Sequence, residues 1–385
     1  MQKKLIALAV AGLASSAAFA QSNVTVYGVV DVYYGNGTAA NQATKSSVNS
    51  SGLSGSRIGF KGTEDLGNGL KALFTLEYGI DPTDNQGIGA NSTSGTANSN
   101  TTSTTARQQF VGLTGGFGTA VAGRLQTAGY DWSAVSNTFH GSAINPLNTV
   151  QGKLGAQGVT SAVAAGNTLL GQSSRADNAV AYISPSFGGF VVAVNHARLS
   201  EGAVSGTTPA TNGSSDGVAN LVSGTYTAGP AVVSLVYASA STGTVIGNAG
   251  GTTNGHFTEW GLGGGYDFGV VNLKASYQRQ SVDKAYNANV GDDKAYQISA
   301  LIPVTAAGKV NIGWAKLKKD STSASDDASS WTLAYLHSLS KRTTVYTGYQ
   351  SVSNSGVQTL ATGLSGASSA GGSAHAFVAG VNHSF

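Results

Sequence analysis

The feature that most constrains this chain is a period-two alternation of apolar with small or polar residues, recurring along almost its whole length. Within 259–268, Trp260, Leu262, Gly264, Tyr266 and Phe268 take one face, and Glu259, Gly261, Gly263, Gly265 and Asp267 take the other. Val271, Leu273, Ala275 and Tyr277 alternate in the same way with Asn272, Lys274, Ser276 and Gln278, and Val310, Ile312 and Trp314 alternate with Asn311 and Gly313. Successive side chains of a strand point to opposite faces, so each such segment predicts a strand with one apolar face. After residue 20 there is no uninterrupted apolar run of about 18 residues, which excludes helical membrane spans. The 54 glycines among 385 residues disfavour helices further, because an interior glycine costs a helix roughly 1 kcal/mol relative to alanine.

The pattern predicts strands near 24–34, 55–63, 69–79, 106–114, 118–124, 175–184, 188–197 and 217–227. Others follow near 231–240, 256–267, 269–279, 294–302, 308–318, 330–339, 343–352 and 375–385. These are about sixteen segments, most close to the ~9–11 residues that a tilted strand needs to cross a bilayer. Short turns at 64–68, 115–117, 185–187, 267–269 and 339–342 alternate with long polar segments at 35–54, 80–105, 125–174, 198–216, 241–255, 280–293, 319–329 and 353–374. Strict alternation puts every long loop on one side, the arrangement of an up-and-down barrel in an outer membrane. A soluble β-sandwich would bury its apolar faces against each other. The opposite faces here carry too few charges for a solvated exterior, since only 10% of residues are charged. Closure of the sheet leaves no backbone edge unpaired in lipid.

Lys3 and Lys4, the apolar run from Leu5 to Leu13 and the Ala18-Phe19-Ala20 site read as a cleaved secretory signal over 1–20, leaving 21–385 as a single barrel domain. Losing the two lysines leaves 19 bases against 18 acids and lowers the net charge from +3 to +1, so a nucleic-acid-binding role is not indicated. With no cysteine, disulfides contribute nothing to stability. The sequence has no H-E-x-x-H, G-x-S-x-G or P-loop, and its six histidines, His140 and His256 among them, show no ligand spacing. No enzyme, cofactor or metal site is expected.

Several stretches carry a resemblance. Val24 to Asp31 (VTVYGVVD), Ser56 to Leu70 (SRIGFKGTEDLGNGL), Arg107 to Leu113 with Gly123-Arg124, Ser184 to Phe190, Tyr266 to Gly269, Leu339 to Thr343 and the terminal His383-Ser384-Phe385 together resemble the trimeric general porins of β-proteobacterial outer membranes. The resemblance covers essentially the whole mature chain. It implies an all-β, 16-stranded antiparallel transmembrane β-barrel, assembled as a homotrimer, with the third extracellular loop folded into the lumen. It also implies passive diffusion of small hydrophilic solutes and ions, and contacts with outer-membrane lipid and lipopolysaccharide. Phe385, in register with Phe377 and Val381, resembles the C-terminal signal read by the barrel assembly machinery. A surface adhesin acting through the long loops is the alternative function.

Strand parity places charges on the wall. Arg57 and Lys61 share a face opposite Ile58 and Phe60. Arg124 shares one with Ala120 and Ala122, opposite Val121 and Gly123; Arg107 is opposite Phe110; Lys71 and Glu77 are opposite Ala72, Phe74 and Leu76. A lipid-facing base at midplane costs about 2–4 kcal/mol, which favours the interior for all of these. Arg57, Lys61, Arg107 and Arg124 are therefore expected to form a basic ladder on one wall. In the resembled family such a ladder faces acids on the inward loop and often includes a base where Ala181 stands. Here loop 125–174 holds one acid, Asp131, and one base, Lys153, which predicts a weakly anion-selective constriction. Acids of the other loops, Asp81, Asp84, Asp292, Asp293, Asp326 and Asp327, would work against it if they made the mouths acidic.

Overall fold

The computed structural model describes residues 23–84, 88, 90–91, 103–104, 106–152, 154, 168–200, 217–246, 252–282, 292–320 and 326–385. The expected leader 1–20 and Lys153 lie outside the described residues. The first part of the chain gives β1 (Asn23–Ala39), β2 (Lys45–Ser50), β3 (Arg57–Gly67), β4 (Leu70–Gly79), the two-residue pair β5 (Ala90–Asn91) and β6 (Ser103–Thr104), β7 (Ala106–Gly115) and β8 (Gly118–Gln126). Two short helices follow, α1 (Ala128–Ser136) and α2 (Pro146–Gln151). The remainder is β9 (Arg175–Ile183), β10 (Phe190–Ser200), β11 (Gly217–Ala228), β12 (Ala231–Ile246), β13 (Thr252–Asp267), β14 (Asn272–Val282), β15 (Asp292–Pro303), β16 (Gly308–Lys318), β17 (Ala328–Ser338), β18 (Thr343–Asn354) and β19 (Ser373–Ser384).

Each wall strand pairs antiparallel with the next, and β19 returns to β1 in a register running from Val29↔Ser384 to Ala39↔Ala374. The result is a closed barrel of 16 strands with β2 as one extra. Phe385 and Gly28 exchange both backbone bonds at 3.1 Å, which completes the seam at the terminal residue. The Gly67-Asn68-Gly69 turn between β3 and β4 has φ of 85°, 53° and 77°, a left-handed conformation open to glycine and tolerated by asparagine.

Alternation divides the wall into two faces. Val111, Leu113, Val180, Tyr182, Leu235, Leu262, Ile298, Ile312, Trp314 and Leu333 are exposed on one, forming an apolar outer belt. Their strand neighbours, among them Glu259, Gln278, Gln297, Ser299, Asn311, Thr332 and Gln350, are buried on the other. Several strands run further toward the long-loop side than the alternation predicts. β1 continues to Ala39, where 35–54 was expected to be loop, and Lys45–Ser50 pairs back onto it from Val32↔Ser50 to Gly37↔Lys45. Past the belt, polar residues are compatible with backbone pairing because both faces meet water, so the apolar signal ends before the strand does.

Candidate channel wall

The segment after β8 is built against the inner face, and sequence explains where it attaches. Asn195 Oδ1 accepts the Ala128 amide at 2.8 Å and fixes the start of α1. Lys274 Nζ donates to Ala134 O at 2.9 Å, and Gln297 donates to Ser136 O. Thr138 bonds Ser299 and Asn311, at 3.1 and 2.6 Å. Ser142 and Ala143 both donate to Gly52 O at 2.9 Å, tying this segment to the first long loop. Thr332 donates to Ile144 O at 2.8 Å. Asn145 caps α2, accepting from the Leu147 and Asn148 amides, with Pro146 at the first helical position where its missing N–H is no loss. The returning chain is held by Glu259, which is fully buried and accepts from Thr168 Oγ1 and the Leu169 amide at 2.7 Å each and from Gln278 and Gln280.

Small residues on the inner face make room for this segment. A Cβ on Gly261 would lie 2.6 Å from the Trp132 ring, on Gly263 2.5 Å from Ser136, on Gly313 2.9 Å from the Phe139 ring and on Gly348 2.5 Å from Ile144. These four wall positions, on β13, β16 and β18, form a track into which the segment's side chains fit. Beside the track, Trp132, Leu169 and Leu170 join wall residues such as Leu221, Val236 and Phe257 in one buried apolar cluster. Burying such side chains contributes roughly 1.5–3 kcal/mol each, which offsets part of the cost of ordering the segment.

The charged cluster lies on the wall formed by β3, β4, β7 and β9. Glu77, almost fully buried, accepts from Tyr27 Oη at 3.0 Å and from Arg107 Nε at 2.7 Å, and lies 3.5 Å from Arg57 Nε. Arg57 also donates to Gly55 O at 2.7 Å, and the Arg107 guanidinium lies directly over the space a Gly55 side chain would fill. Gly55 is held in turn by the neighbouring 52–54 turn, whose three amides donate to the buried carboxylate of Asp31 at 2.8–3.0 Å. Lys61 Nζ sits 5.2 Å over the Tyr27 ring on the same face, a cation–π contact.

Three expectations for the ladder need correction. Phe110 faces inward and packs against the cluster around Trp132, while Val111 and Leu113 face outward. Strict parity would thus put Arg107 outside; a bulge between Glu77↔Gln108 and Tyr78↔Ala106 turns it toward Glu77 instead. A bulge re-aims a side chain in this way without leaving the sheet. Ala120 and Ala122 belong to the outer face, aligned with Leu113, Val111, Tyr182 and Val180, so the face assigned to Arg124 was reversed. Arg124 sits at a second bulge and bonds Asp177 Oδ1 and Ala106 O at 2.5 Å. Its charge is paired there and does not share Glu77.

Arg175, the first residue of β9, is the base that parity missed. It is only 9% exposed, its guanidinium lies 5.0 Å over the Tyr130 ring, and its Nε and Nη2 have no hydrogen-bond partner among the described residues. Arg107, Glu77 and Arg124 are within its electrostatic reach. A lone arginine where a long loop enters a strand was the available signal, and it sits on the same strand as Ala181. Of the remaining candidates, Asp131 is exposed in the first turn of α1, where the helix dipole favours an acid. Lys71 is exposed beside the short β3–β4 turn, opposite Asp65, and stands apart from the Glu77 group. Phe377, Val381 and Phe385 are exposed on the outer face.

His140 lies within reach of the same group of bases. Half-buried, its Nδ1 lies 3.1 Å from the Ser133 hydroxyl, and its ring stands T-shaped to that of Tyr130. Burial, with the facing charges of Lys274, Arg175 and Arg107, pushes its imidazole down to about 4.

A closed antiparallel barrel with an apolar belt outside and a charged, hydrogen-bonded face inside narrows the comparison to outer-membrane channels. The profile of the Gram-negative porin family matches residues 7–357. The chain belongs to that family. It is similar to outer membrane porin protein 32 of Delftia acidovorans, 32% identical over 396 residues with 100% of each chain covered. An outer membrane porin of Bordetella pertussis is 28% identical over 388 residues, covering 90% of this chain and 93% of the other. Among solved structures, the anion-selective porin from Comamonas acidovorans superimposes with a TM-score of 0.75 at 27% identity, covering 95% of this chain and 100% of that one. An outer membrane protein of Vibrio cholerae in its trimer form shares the fold, with a TM-score of 0.64 at 14% identity over 94% of this chain and 99% of the other. The protein is therefore an outer-membrane porin, a channel and not an enzyme.

Proposed function

We propose that this porin forms a water-filled channel for passive diffusion of small hydrophilic solutes and ions, narrowed by segment 127–174 folded into its lumen and weakly selective for anions. The observation that carries the charge preference is the gathering of Arg57, Arg107 and Arg175 around a single acid, Glu77. Lys61 adds a further base on the same wall. Fixed charge at a narrow site sets counter-ion preference, and the facing segment contributes only Asp131 among its described residues. Three of the six acids named at the long-loop mouth are offset by bases there, Asp292 by Arg279, Asp293 by Lys319 and Asp327 by Lys316. The resemblance to the anion-selective porin of Comamonas acidovorans supports the same sign.

The functional unit is proposed to be a homotrimer, as the shared fold with a protein solved in a trimer form supports. Export through a signal cleaved after Ala20, with Phe377, Val381 and Phe385 presented to the assembly machinery, completes the reading. Zero-current potentials across a planar bilayer under a potassium chloride gradient test it. Wild-type channels should favour chloride, and Arg57→Ser and Arg175→Ser should each shift the reversal potential toward the cation side. A cation-selective wild type overturns the charge assignment.

A further inference from the structure

Where residues 138–144 fasten to the wall, the inner face changes character. Thr138 bonds Ser299 and Asn311, and Ile144 O accepts from Thr332. The next inward positions toward the short turns are apolar: Leu301 on β15, and Ala334 and Leu336 on β17. The register sets them side by side, with Leu301 opposite Asn311, Asn311 opposite Ala334, and Leu336 opposite Tyr346. Leu53, Phe139 and Ile144 close over this row and leave a cavity of about 80 Å³ between the segment and the wall.

The polar groups that line the cavity are committed elsewhere, with one exception. Thr138 and Asn311 bond each other, Ser142 donates to Gly52 O, and the Tyr346 hydroxyl donates to Asp31. His140 differs, because its Nε2 is buried and has no hydrogen-bond partner among the described residues. Lys274, Arg175 and Arg107, all basic, lie within electrostatic reach of this imidazole. An apolar slot with one unpaired polar atom in a positive field suits a short hydrocarbon tail that ends in a single negative group. An apolar cavity of about 150 Å³ takes up benzene, so this smaller one suits a tail of about three carbons. A second polar group on the tail would lose its hydration inside and find no partner. A neutral imidazole with its proton on Nε2 donates to a carboxylate oxygen.

We propose that this slot is a subsite for short-chain aliphatic monocarboxylates, with the tail against Leu301, Ala334 and Leu336 and the carboxylate toward His140 Nε2. The assignment deepens the channel reading and rests on it for the lumen from which the solute enters. It favours an acid with an apolar tail over one of equal length that carries a hydroxyl or a second carboxylate.

The test reads the saturable reduction of chloride current through the full-length protein in a planar bilayer at neutral pH, with the potassium salts of acetate, propionate, butyrate and hexanoate as probes. Affinity should rise roughly fourfold per methylene from acetate to butyrate, about fifteenfold in all, and level off at hexanoate once the slot is full. Hydroxylated butyrate should bind more like acetate than like butyrate. Ala334→Leu, which fills the slot, should bring acetate and butyrate within about twofold of each other. Leu336→Asn, which makes the slot polar at similar size, should do the same, and heat-modifiable gel mobility confirms that each variant is folded. His140→Phe should weaken acetate and butyrate alike and leave their ratio standing. Equal affinity for acetate and butyrate in the wild type, or a ratio that neither slot variant lowers, overturns the proposal. So does an affinity that keeps climbing through hexanoate, the mark of partition into the bilayer. A wild type that binds butyrate by saturation-transfer NMR in detergent micelles but passes no chloride overturns the channel reading and leaves the slot standing.

Discussion

Glu77 takes two arginines and a tyrosine on one carboxylate, which makes it the residue whose loss should be felt in both selectivity and stability. Glu77→Gln removes the only acid among the described residues of the group around Arg57, Arg107 and Arg175. The reversal potential should move further toward chloride, while the unfolding free energy falls by about 1–3 kcal/mol, since charge-assisted hydrogen bonds are lost. His140 gives a pH dependence of definite sign. Its imidazole is harder to protonate folded, at about 4, than unfolded, at 6.5, so the unfolded chain binds more protons between those values. Full stability is present above about pH 6.5 and declines as pH falls toward 4, and His140→Gln should flatten thermal midpoints measured across that window. Not every charge was legible at this scale. Arg57, Lys61 and Glu77 were placed by parity because β3 and the relevant part of β4 are regular. Arg107 and Arg124 sit at bulges, where one extra residue reverses the count, and no local pattern announces a bulge in either segment.

Among the elements, the wall strands were legible from their apolar alternation, and the polar upper ends of β1, β12 and β13 were not, because that signal disappears once both faces are wet. The path of residues 127–152 and 168–174 was hidden for a different reason. Its attachment depends on glycines and amides drawn from β10 to β18, so no window of sequence contains both partners. The glycine track turns that path into a measurable quantity. Gly313→Leu should push Phe139 off the wall, with an overpacking cost of about 1–3 kcal/mol, and should change single-channel conductance while the barrel remains heat-modifiable. An unchanged conductance would mean that the segment does not border the conducting path. Glu259 makes the complementary point at the other end of the segment, where one carboxylate replaces the interactions of a whole turn.

For the molecule as a whole, the β1–β19 seam closes the barrel and Phe385 extends it by one further pair. The Phe385 ring occupies the space beside Gly28, where a Cβ would lie 2.3 Å from it, and the two residues exchange backbone bonds. Gly28→Val should therefore lower the temperature at which the folded form loses its gel mobility, by displacing the final ring from the seam. Trimeric assembly should appear as one inserted unit whose conductance closes in three equal steps.

The seating of the loop's side chains against four wall glycines has a wider consequence. On the proposed reading, pore width follows from Trp132, Ser136, Phe139 and Ile144 against four glycines, whereas the net charge follows from arginines around Glu77 on other strands. Throughput and ionic preference are thus two separately adjustable dials: exchanging residues along the loop can retune the size of what passes, and exchanging bases on the wall can retune its sign, each without rebuilding the other.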